Sequence, residues 1–342
     1  LVQEGGHSVP RAVEPIELGP GMINPLKDYA ESHGVEIMLN TKAEELIQDE
    51  TGKVVGVQVS QGDQTATISA NNSVVLATGG FGANVEMREH YNTRWETLDA
   101  SVKTTNSPAI VGDGIVMAEK IGAHLINMEH IQLYPFNNPI TGVFYGIEAP
   151  SWSSEGLIYV NKDGKRFVNE VAMRDVRAEG ILAQGGLVYA IYNQEVADRL
   201  NLEEKFADEY ARCLEDGVFF KADTLEEVAD HYGINAENLV ETMAKYNEGI
   251  ENNNDEFGRT TSMVTMKEGP WFILKGVVSV HHTMGGVEIN ENAEVLDVEG
   301  NVMPGLFAAG EVTGSIHGNN RVGTCAIADI TVFAGRNAAA AK

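Results

Sequence analysis

Two short apolar segments that end in glycine constrain the fold of this chain more than any other feature. Residues 73–77 run directly into Gly79 and Gly80, and residues 305–309 run into Gly310. A continuously apolar strand is typical of a sheet that is buried on both faces. The junction between such a strand and a glycine is where α/β sheets bind ligands. We therefore predict an α/β fold with a ligand at these junctions.

The second junction continues into a loop rich in glycine, asparagine and arginine. Backbone N–H groups and the start of the last helix can hold a polar ligand there, and the carboxylate of Glu311 can accept hydrogen bonds from ribose hydroxyls. A tight turn with polar groups facing solvent is the alternative explanation for a single glycine pair. Four glycines with Glu311 and Arg321 within fourteen positions favour a binding site.

Charge and cysteine content exclude several classes of function. The chain has 24 Lys and Arg against 50 Asp and Glu, a net charge of −26, so its surface repels nucleic-acid phosphates and anionic lipid headgroups. Cys213 and Cys325 are too few for a disulfide framework or a thiolate metal cage, and no apolar run approaches the length of a membrane helix. With 342 residues, we expect about two soluble globular domains, with no nucleic-acid partner and no membrane span.

The order of the predicted elements indicates that one block is inserted into another. The predicted helices lie at 24–33, 112–122, 224–231, 235–247 and 326–340, with Thr224 and Asn235 as N-caps, and the predicted strands lie at 35–39, 53–59, 65–70, 73–77, 286–290, 294–298 and 305–309. A hairpin is expected across 157–169, turning at Asp163-Gly164. Aromatic-rich loops begin near residue 130, and strand signals return after residue 282.

Two further motifs contain chemically active side chains. His281 and His282 are adjacent on an extended segment, so they point to opposite sides. Without a Cys, Asp or Glu at ligand spacing, the pair does not make a metal site. Arg166 lies beside an aromatic-rich block and can bind an anionic substrate, although surface ion pairs with Glu170 and Asp175 are the simpler interpretation.

Five motifs occur in a recognisable order. They are VVLATGGFGAN at 74–84, TTN at 104–106 with GDG at 112–114, RFVNEVAMRD at 166–175, HHTMGG at 281–286, and GLFAAGEVTGSIHGNNRVGTCAIAD at 305–329. Together they resemble the flavoprotein family of fumarate reductase and succinate dehydrogenase, particularly the soluble flavocytochrome c type and its urocanate reductase relatives. The resemblance implies an α/β FAD-binding domain, here 1–129 and 283–342, interrupted by an α+β capping domain at 130–282.

The resemblance also implies a reaction, namely reduction of a C=C bond beside a carboxylate. Flavin N5 would deliver hydride to the β carbon, and Arg174 resembles the arginine that protonates the α carbon. His281 and Arg321 resemble the pair that holds the substrate carboxylate. Because an arginine holds its proton strongly, this role requires a relay that reprotonates it.

The same resemblance implies a set of cofactor contacts. Glu311 matches the ribose-binding acid, Ala43 matches the position whose backbone meets adenine, and Thr78, Gly79 and Gly80 would pack against the dinucleotide. The remaining positions expected near FAD are Asn106, Asp113, His282, Gly310, Arg321, Ala326 and Ile327.

Three departures from the family pattern matter. Tyr134-Pro135 stands where fumarate reducers have His-Pro, which favours urocanate or an aryl acrylate over fumarate. The loop at 142–156 is longer and has no arginine for the usual relay, and Glu148 and Glu155 are the candidate replacements. Thr324-Cys325 replaces the usual Gly-Asn beside the flavin.

The dinucleotide fingerprint GxGxxG is absent. Gly112-Asp113-Gly114 begins like it, but residue 117 is Met. We expect the segment that contains the fingerprint to precede Leu1, so that this chain is a truncated reductase that binds FAD weakly or not at all by itself.

The sequence leaves several alternatives open. They are a fumarate reductase proper, a flavin dehydrogenase or oxidase of a steroid or amino acid, and a truncated, non-catalytic binding module. The electron donor implied by the family is a haem or FMN domain or a separate protein. A periplasmic and a cytoplasmic location are both compatible with the residues.

Overall fold

The fold is known from a computed structural model that describes residues 6–13, 15–16, 18–151 and 155–340. Its α-helices are α1 (Leu18–Ser32), α2 (Val85–Tyr91), α3 (Asp113–Lys120), α4 (Arg174–Ala183), α5 (Gln194–Arg199), α6 (Leu202–Lys205), α7 (Ala207–Glu215), α8 (Leu225–Tyr232), α9 (Ala236–Glu251) and α10 (Cys325–Ala340). Its strands are β1 (Lys42–Gln48), β2 (Val54–Gln61), β3 (Gln64–Ser69), β4 (Val74–Leu76), β5 (Leu125–Ile126), β6 (Ile131–Asn137), β7 (Ile158–Val160), β8 (Leu187–Asn193), β9 (Phe219–Ala222), β10 (Trp271–Thr283), β11 (Gly286–Val287), β12 (Glu294–Leu296) and β13 (Val302–Ala308). This mixture of helices and strands confirms the predicted α/β character. None of the helices in these ranges has both the length and the apolar composition needed to cross a membrane.

The two glycine junctions lie side by side because β4 and β13 are parallel neighbours. Leu306 is in register with Val74, and the N–H of Ala309 donates to the carbonyl of Leu76 at 3.0 Å. Strand β12 pairs with β13 on its other side. The carboxyl ends of β4 and β13 therefore open at one edge, as the sequence predicts. The expectation that 73–77 is buried on both faces is wrong in part, since Val75 is 44% exposed.

A second sheet is antiparallel and is built around the long strand β10. Its order is β6-β10-β8-β7, and β9 pairs with the first residues of β10. The first half of β10 pairs with β8, and the second half pairs with β6 up to Thr283 opposite Ile131. Most of β10 is not predicted from the sequence. Because this strand is buried along almost its whole length, its residues do not alternate between apolar and polar.

Two predicted strands differ from the structure. Residues 35–39 form no strand, because no described segment pairs with them, and Leu39 is 71% exposed. The hairpin at 157–169 keeps its turn, with Asn161 N–H donating to the Lys165 carbonyl at 3.0 Å. The expected second strand of the hairpin does not form. Only one isolated bridge, between Val160 and Arg166, joins the two arms, and β7 pairs instead with β8.

Helix starts follow the sequence signals closely. Thr224 caps α8 through a reciprocal capping box with Glu227, and Asn235 caps α9 by accepting from the Asn238 N–H. The strands at 53–59 and 65–70 are β2 and β3, an antiparallel pair that β1 extends to three strands. The division of the chain at 129 and 282 stays a prediction.

A buried charge cluster stabilises the block around β7, β8 and β10. The carboxylate of Glu170 accepts from Arg166 at 2.8 Å and from Arg259 at 3.4 Å, and Asp255 accepts from Arg166 at 2.7 Å. All four side chains are at most 3% exposed. Arg166 therefore forms the ion pair with Glu170 that the sequence suggested, but this pair is buried rather than on the surface, and Asp255 rather than Asp175 is its second partner. Buried charges of this kind are stable only when each one is paired.

Replacing Glu170 with Gln should lower the free energy of unfolding by about 3–5 kcal/mol. The amide keeps the shape of the side chain, but it leaves the buried Arg166 and Arg259 short of one negative charge. Chemical denaturation of the purified variant measures the loss.

Glu195→Gln on α5 is the matched control, because Glu195 pairs with Arg199 at the surface and is 61% exposed. An exposed pair contributes at most about 1 kcal/mol. If the free energy of unfolding fell by the same small amount in both variants, the buried charge cluster would not stabilise the fold.

Candidate active site

Four side chains proposed for substrate binding and catalysis converge from four separate elements. Tyr134 lies on β6, Arg174 is the first residue of α4, His281 lies near the end of β10, and Arg321 lies in the loop before α10. The guanidinium of Arg174 lies over the Tyr134 ring, 4.9 Å from its centroid, and the Tyr134 and His281 ring centroids are 5.0 Å apart. The structure therefore brings together the residues that the sequence placed far apart.

His281 is held at both ring nitrogens. Its Nε2 is 2.9 Å from Nη2 of Arg321, and its Nδ1 is 2.8 Å from Oγ1 of Thr105. Because arginine only donates hydrogen bonds, Nε2 accepts and the ring proton lies on Nδ1, which donates to Thr105. The imidazole is thus locked in one neutral tautomer and one orientation.

The site is positively charged within a strongly acidic chain. Burial, followed by the positive charges of Arg174 and Arg321, holds the pKa of His281 well below its ordinary value. The ring is therefore neutral near pH 7, and the two guanidinium groups supply the positive charge. Carboxylates and phosphates are the anions that guanidinium groups bind through paired hydrogen bonds, so the site suits an anionic group of this kind.

Two amide side chains, those of Gln132 and Asn320, also contact the site, although the sequence motifs assign no role to either. Gln132 is buried, accepts from Nη1 of Arg174 at 3.4 Å, and donates to the backbone carbonyl of Arg321 at 2.8 Å. It also donates to Oδ1 of Asn320 at 2.7 Å. The signal for Gln132 was its position two residues before Tyr134, which places both on one face of β6.

A second cluster forms where β4 and β13 end. Oε1 of Glu311 accepts from the Thr283 N–H at 2.9 Å, and Oγ1 of Thr283 accepts from the Phe81 N–H at 3.2 Å. A Cβ at Gly80 would lie 2.0 Å from Oγ1 of Thr283 and 2.7 Å from Oε1 of Glu311, so only glycine fits there. Burial raises the pKa of Glu311. The junction is a close-packed strand end with a carboxylate, as expected for a ribose-binding site.

Asn106, Thr78 and Asp113 line the approach to this cluster. The Asn106 amide donates to the His281 carbonyl at 3.0 Å, so it connects the two clusters. A Cβ at Gly114, the second residue of α3, would lie 2.1 Å from Oγ1 of Thr78, which places Asp113 at a helix start close to the strand end. Gly79 adopts a φ of +74°, which favours glycine.

Ala43 lies on β1 of the three-stranded sheet, which is separate from the sheet of β4 and β13. Its neighbour Lys42 has a pKa raised by the hydrogen bond to Glu44 and then by the charge of Asp113. The β1 edge and the start of α3 are therefore near one another. No described contact joins Ala43 to Glu311 or Gly310.

His282 faces away from His281, as predicted for neighbours on a strand. Its Nε2 is 4.0 Å from Oε2 of Glu311, and its ring lies edge-on to the ring of His317. Nε2 of His317 in turn donates to Oδ2 of Asp329 at 3.1 Å. The buried Nδ1 of His282 has no hydrogen-bond partner among the described residues. A polar group of a ligand beside Glu311 would satisfy it.

The start of α10 completes the cofactor side. Ala326 and Ile327 lie in its first turn, and Ile327 is 44% exposed. Thr324 has a φ of +65°, a conformation that glycine adopts more easily than a β-branched residue. This explains locally why glycine is usual at this position.

The structure separates the two carboxylates considered for a proton relay. Glu148 is buried and hydrogen-bonded to the Tyr159 hydroxyl, and Tyr159 in turn is hydrogen-bonded to the buried Arg177. Glu155 pairs with Arg199 at 3.2 Å away from this group. Positions 152–154 of the same loop lie outside the described residues.

The chain is similar to a family of known proteins and to several of its members. The family described as FAD binding domain matches residues 3–327. The chain is 40% identical to NADH:acrylate oxidoreductase of Vibrio harveyi over 92% of its length and to urocanate reductase of Eggerthella lenta over 98%. The open conformation of a flavocytochrome c3 fumarate reductase superposes on 99% of the chain with a TM-score of 0.76 and 33% identity.

The chain spans only part of each of these proteins. It covers 31% of the acrylate oxidoreductase, 56% of the urocanate reductase and 58% of the flavocytochrome chain. What these similarities establish for the chain itself is therefore its family and its fold.

Unfolding should depend on pH in the direction set by the two histidines. In the folded protein the pKa values of His281 and His282 both lie well below the ordinary value of about 6.5. Between these lowered values and about pH 6.5, the unfolded chain therefore binds more protons than the folded chain. The contribution of the two neutral histidines to the free energy of unfolding is complete above about pH 6.5, and it is lost as the pH falls. Urea denaturation between pH 7.5 and 5 should show this loss, and His281→Gln and His282→Gln should each reduce the slope.

Thr105→Val is the control for this measurement. It removes the hydrogen bond to Nδ1 of His281 but no histidine, so it should shift stability without abolishing the slope. Slopes in both histidine variants equal to that of the wild type would contradict the prediction.

Proposed function

The chain belongs to the FAD-binding flavoprotein family of fumarate reductases and succinate dehydrogenases, and from this premise we propose that it reduces the C=C bond of an α,β-unsaturated carboxylate. We infer further that the substrate is a monocarboxylate such as urocanate or an aryl acrylate rather than fumarate. Two of the most similar relatives, both 40% identical, are named for acrylate and urocanate.

The observation that supports this choice most strongly is the position of Tyr134. Its ring lies between the guanidinium of Arg174 and the ring of His281, and the Phe144 ring is 5.9 Å from it. The family's fumarate reducers have a histidine at this position. A tyrosine next to a phenylalanine gives this end of the site an aromatic surface, which suits an apolar or ring-bearing substituent better than a second carboxylate.

Arg321 and His281 would hold the single carboxylate. Arg321 already points at Nε2 of His281, so a carboxylate that enters between them accepts directly from the guanidinium. Burial, followed by the charges of Arg174 and Arg321, keeps His281 neutral. The negative charge of the carboxylate would offset the contribution of the two arginines, which favours a proton on Nε2 and a second hydrogen bond. Both bonds polarise the conjugated C=C bond toward the carboxylate.

Arg174 would donate the proton to the α carbon. It lies over Tyr134 and is oriented by the carbonyl oxygen of Gln132, so its guanidinium is directed by two independent contacts. Glu148 is the better candidate for returning a proton to Arg174. It is hydrogen-bonded to Tyr159, and Tyr159 is hydrogen-bonded to Arg177, which lies one helical turn after Arg174 on α4. Glu155 is engaged at the surface with Arg199.

The residues at the ends of β4 and β13 fit FAD. Glu311 would bind a ribose hydroxyl, the glycines at 79–80 would allow close backbone approach, and the unsatisfied Nδ1 of His282 would meet a polar group of the isoalloxazine. When bound, the flavin supplies the hydride. The steroid or amino-acid dehydrogenase alternative needs no carboxylate clamp, so loss of activity in both His281 and Arg321 variants would argue against it.

The electron donor is part of the same proposal. Flavocytochrome relatives combine this fold with haem, and the name of the Vibrio harveyi protein specifies NADH. A haem domain, an FMN domain or a separate reductase would each deliver electrons to the bound flavin. We propose a soluble enzyme, either periplasmic or cytoplasmic.

Arg174→Lys should lower kcat for the unsaturated acid by about 10²–10⁴-fold, the range for loss of a general acid. Lysine retains the charge but lacks the planar fork that Gln132 and Tyr134 orient. Reoxidation of reduced flavin in the full-length protein measures the rate. Lys27→Arg on the exposed face of α1 is the control, and a variant with most of its activity would disprove the proton-donor role.

Tyr134→His should shift the preference from urocanate and cinnamate-like acids toward fumarate. The change removes an aromatic surface and adds a group that can bind a second carboxylate. The ratio of kcat/KM values for the two classes should move by about tenfold or more. Rapid turnover of fumarate alone by the wild type would refute the substrate assignment.

A further inference from the structure

Helix α4 is attached to the rest of the site through the residue that follows the proposed proton donor. Oδ2 of Asp175 is 3.1 Å from Nη2 of Arg94, and Oδ1 of Asp175 accepts from the Asn320 amide at 2.6 Å. Arg94 precedes the predicted capping block and Asn320 follows it. One carboxylate therefore joins α4 to two segments that are distant in sequence.

Arg94 binds two successive turns of α4. Its guanidinium contacts Oε1 of Glu179 at 2.6 Å and 3.2 Å as well as Asp175, and these two acids are four residues apart on one helix face. The guanidinium also lies 4.7 Å from the ring centroid of Trp95, whose indole N–H donates to the Ile131 carbonyl at 2.8 Å. The cation is thus held in place from the side opposite the helix.

The contacts around Asp175 close into a ring that includes Arg174. Arg174 donates to Gln132, Gln132 donates to Asn320, and Asn320 donates to Asp175, which is bonded to Arg174 through the backbone. Asn320 also immediately precedes Arg321. A shift of the first turn of α4 would therefore change the spacing between the proposed donor and the proposed carboxylate clamp.

We propose that Arg94 is a positioning residue: by pairing with Asp175 and Glu179 it fixes the first turn of α4, and so it sets where Arg174 lies relative to Arg321. Arg94 lies outside the five sequence motifs. The link to Arg174 rests on the proposed function. The attachment of α4 by Arg94 does not.

The test is Arg94→Gln in the full-length protein, with Arg94→Lys as the conservative variant. Amide hydrogen exchange in the first turns of α4 should become about three- to tenfold faster in Arg94→Gln, as expected when exposed ion pairs are lost. kcat for the unsaturated acid should fall by a similar factor, while KM changes little because Arg321 and His281 remain. Arg94→Lys should recover part of both effects.

Glu195→Gln is the matched control, since it breaks an exposed Arg–Glu pair on α5 and should leave α4 exchange and kcat unchanged. Unchanged exchange in Arg94→Gln would overturn the attachment. Faster exchange with unchanged kcat, or a rise in KM alone, would overturn the positioning role. If the wild type reduced no unsaturated acid, the proposed function would fail, and the exchange measurement would still decide the attachment.

Discussion

The carboxylate of Glu170 is the interaction on which the substrate side of the structure depends. It neutralises Arg166 and Arg259, and it accepts from the Tyr159 N–H at 3.1 Å, so that β7 and the loop before α4 are fixed to each other. The backbone carbonyl of Glu170 accepts from Arg177 at 3.2 Å. Glu170 therefore connects β7 to the segment that leads into α4, through both its side chain and its backbone carbonyl.

This arrangement places rigid support behind a site made of long, flexible side chains. Arginine loses considerable rotamer entropy when it is fixed, and a catalytic geometry needs that loss to occur before the substrate arrives. Arg174 is restrained by the Tyr134 ring and the Gln132 carbonyl oxygen, and Arg321 by the ring of His281. The apolar core supplies the scaffold, and the polar contacts at its edge supply orientation.

The sequence located the strand–glycine junctions better than the connections between elements, because local composition is enough to mark such a junction. The roles of both histidines, Glu311 and Arg321 rest on the family resemblance of the motifs at 281–286 and 305–329, and they stay predictions. Arg94 carries no local signal, and Gln132 is marked only by its position two residues before Tyr134, since the contacts of both are with residues that are distant along the chain. The strand expected at 35–39 failed for the same reason, because an apolar segment needs a neighbouring strand that its own composition does not specify.

The adjacent histidines at the end of β10 lie at an irregularity in the strand pairing. Val280 pairs with Leu133 and His282 with Gln132, so β10 has one more residue than β6 at this point. The extra residue lets the ring of His281 reach Arg321 while the ring of His282 stays beside Glu311. Removing one residue from β10 here would restore regular pairing with β6, and it would turn one of the two rings away from its present contacts.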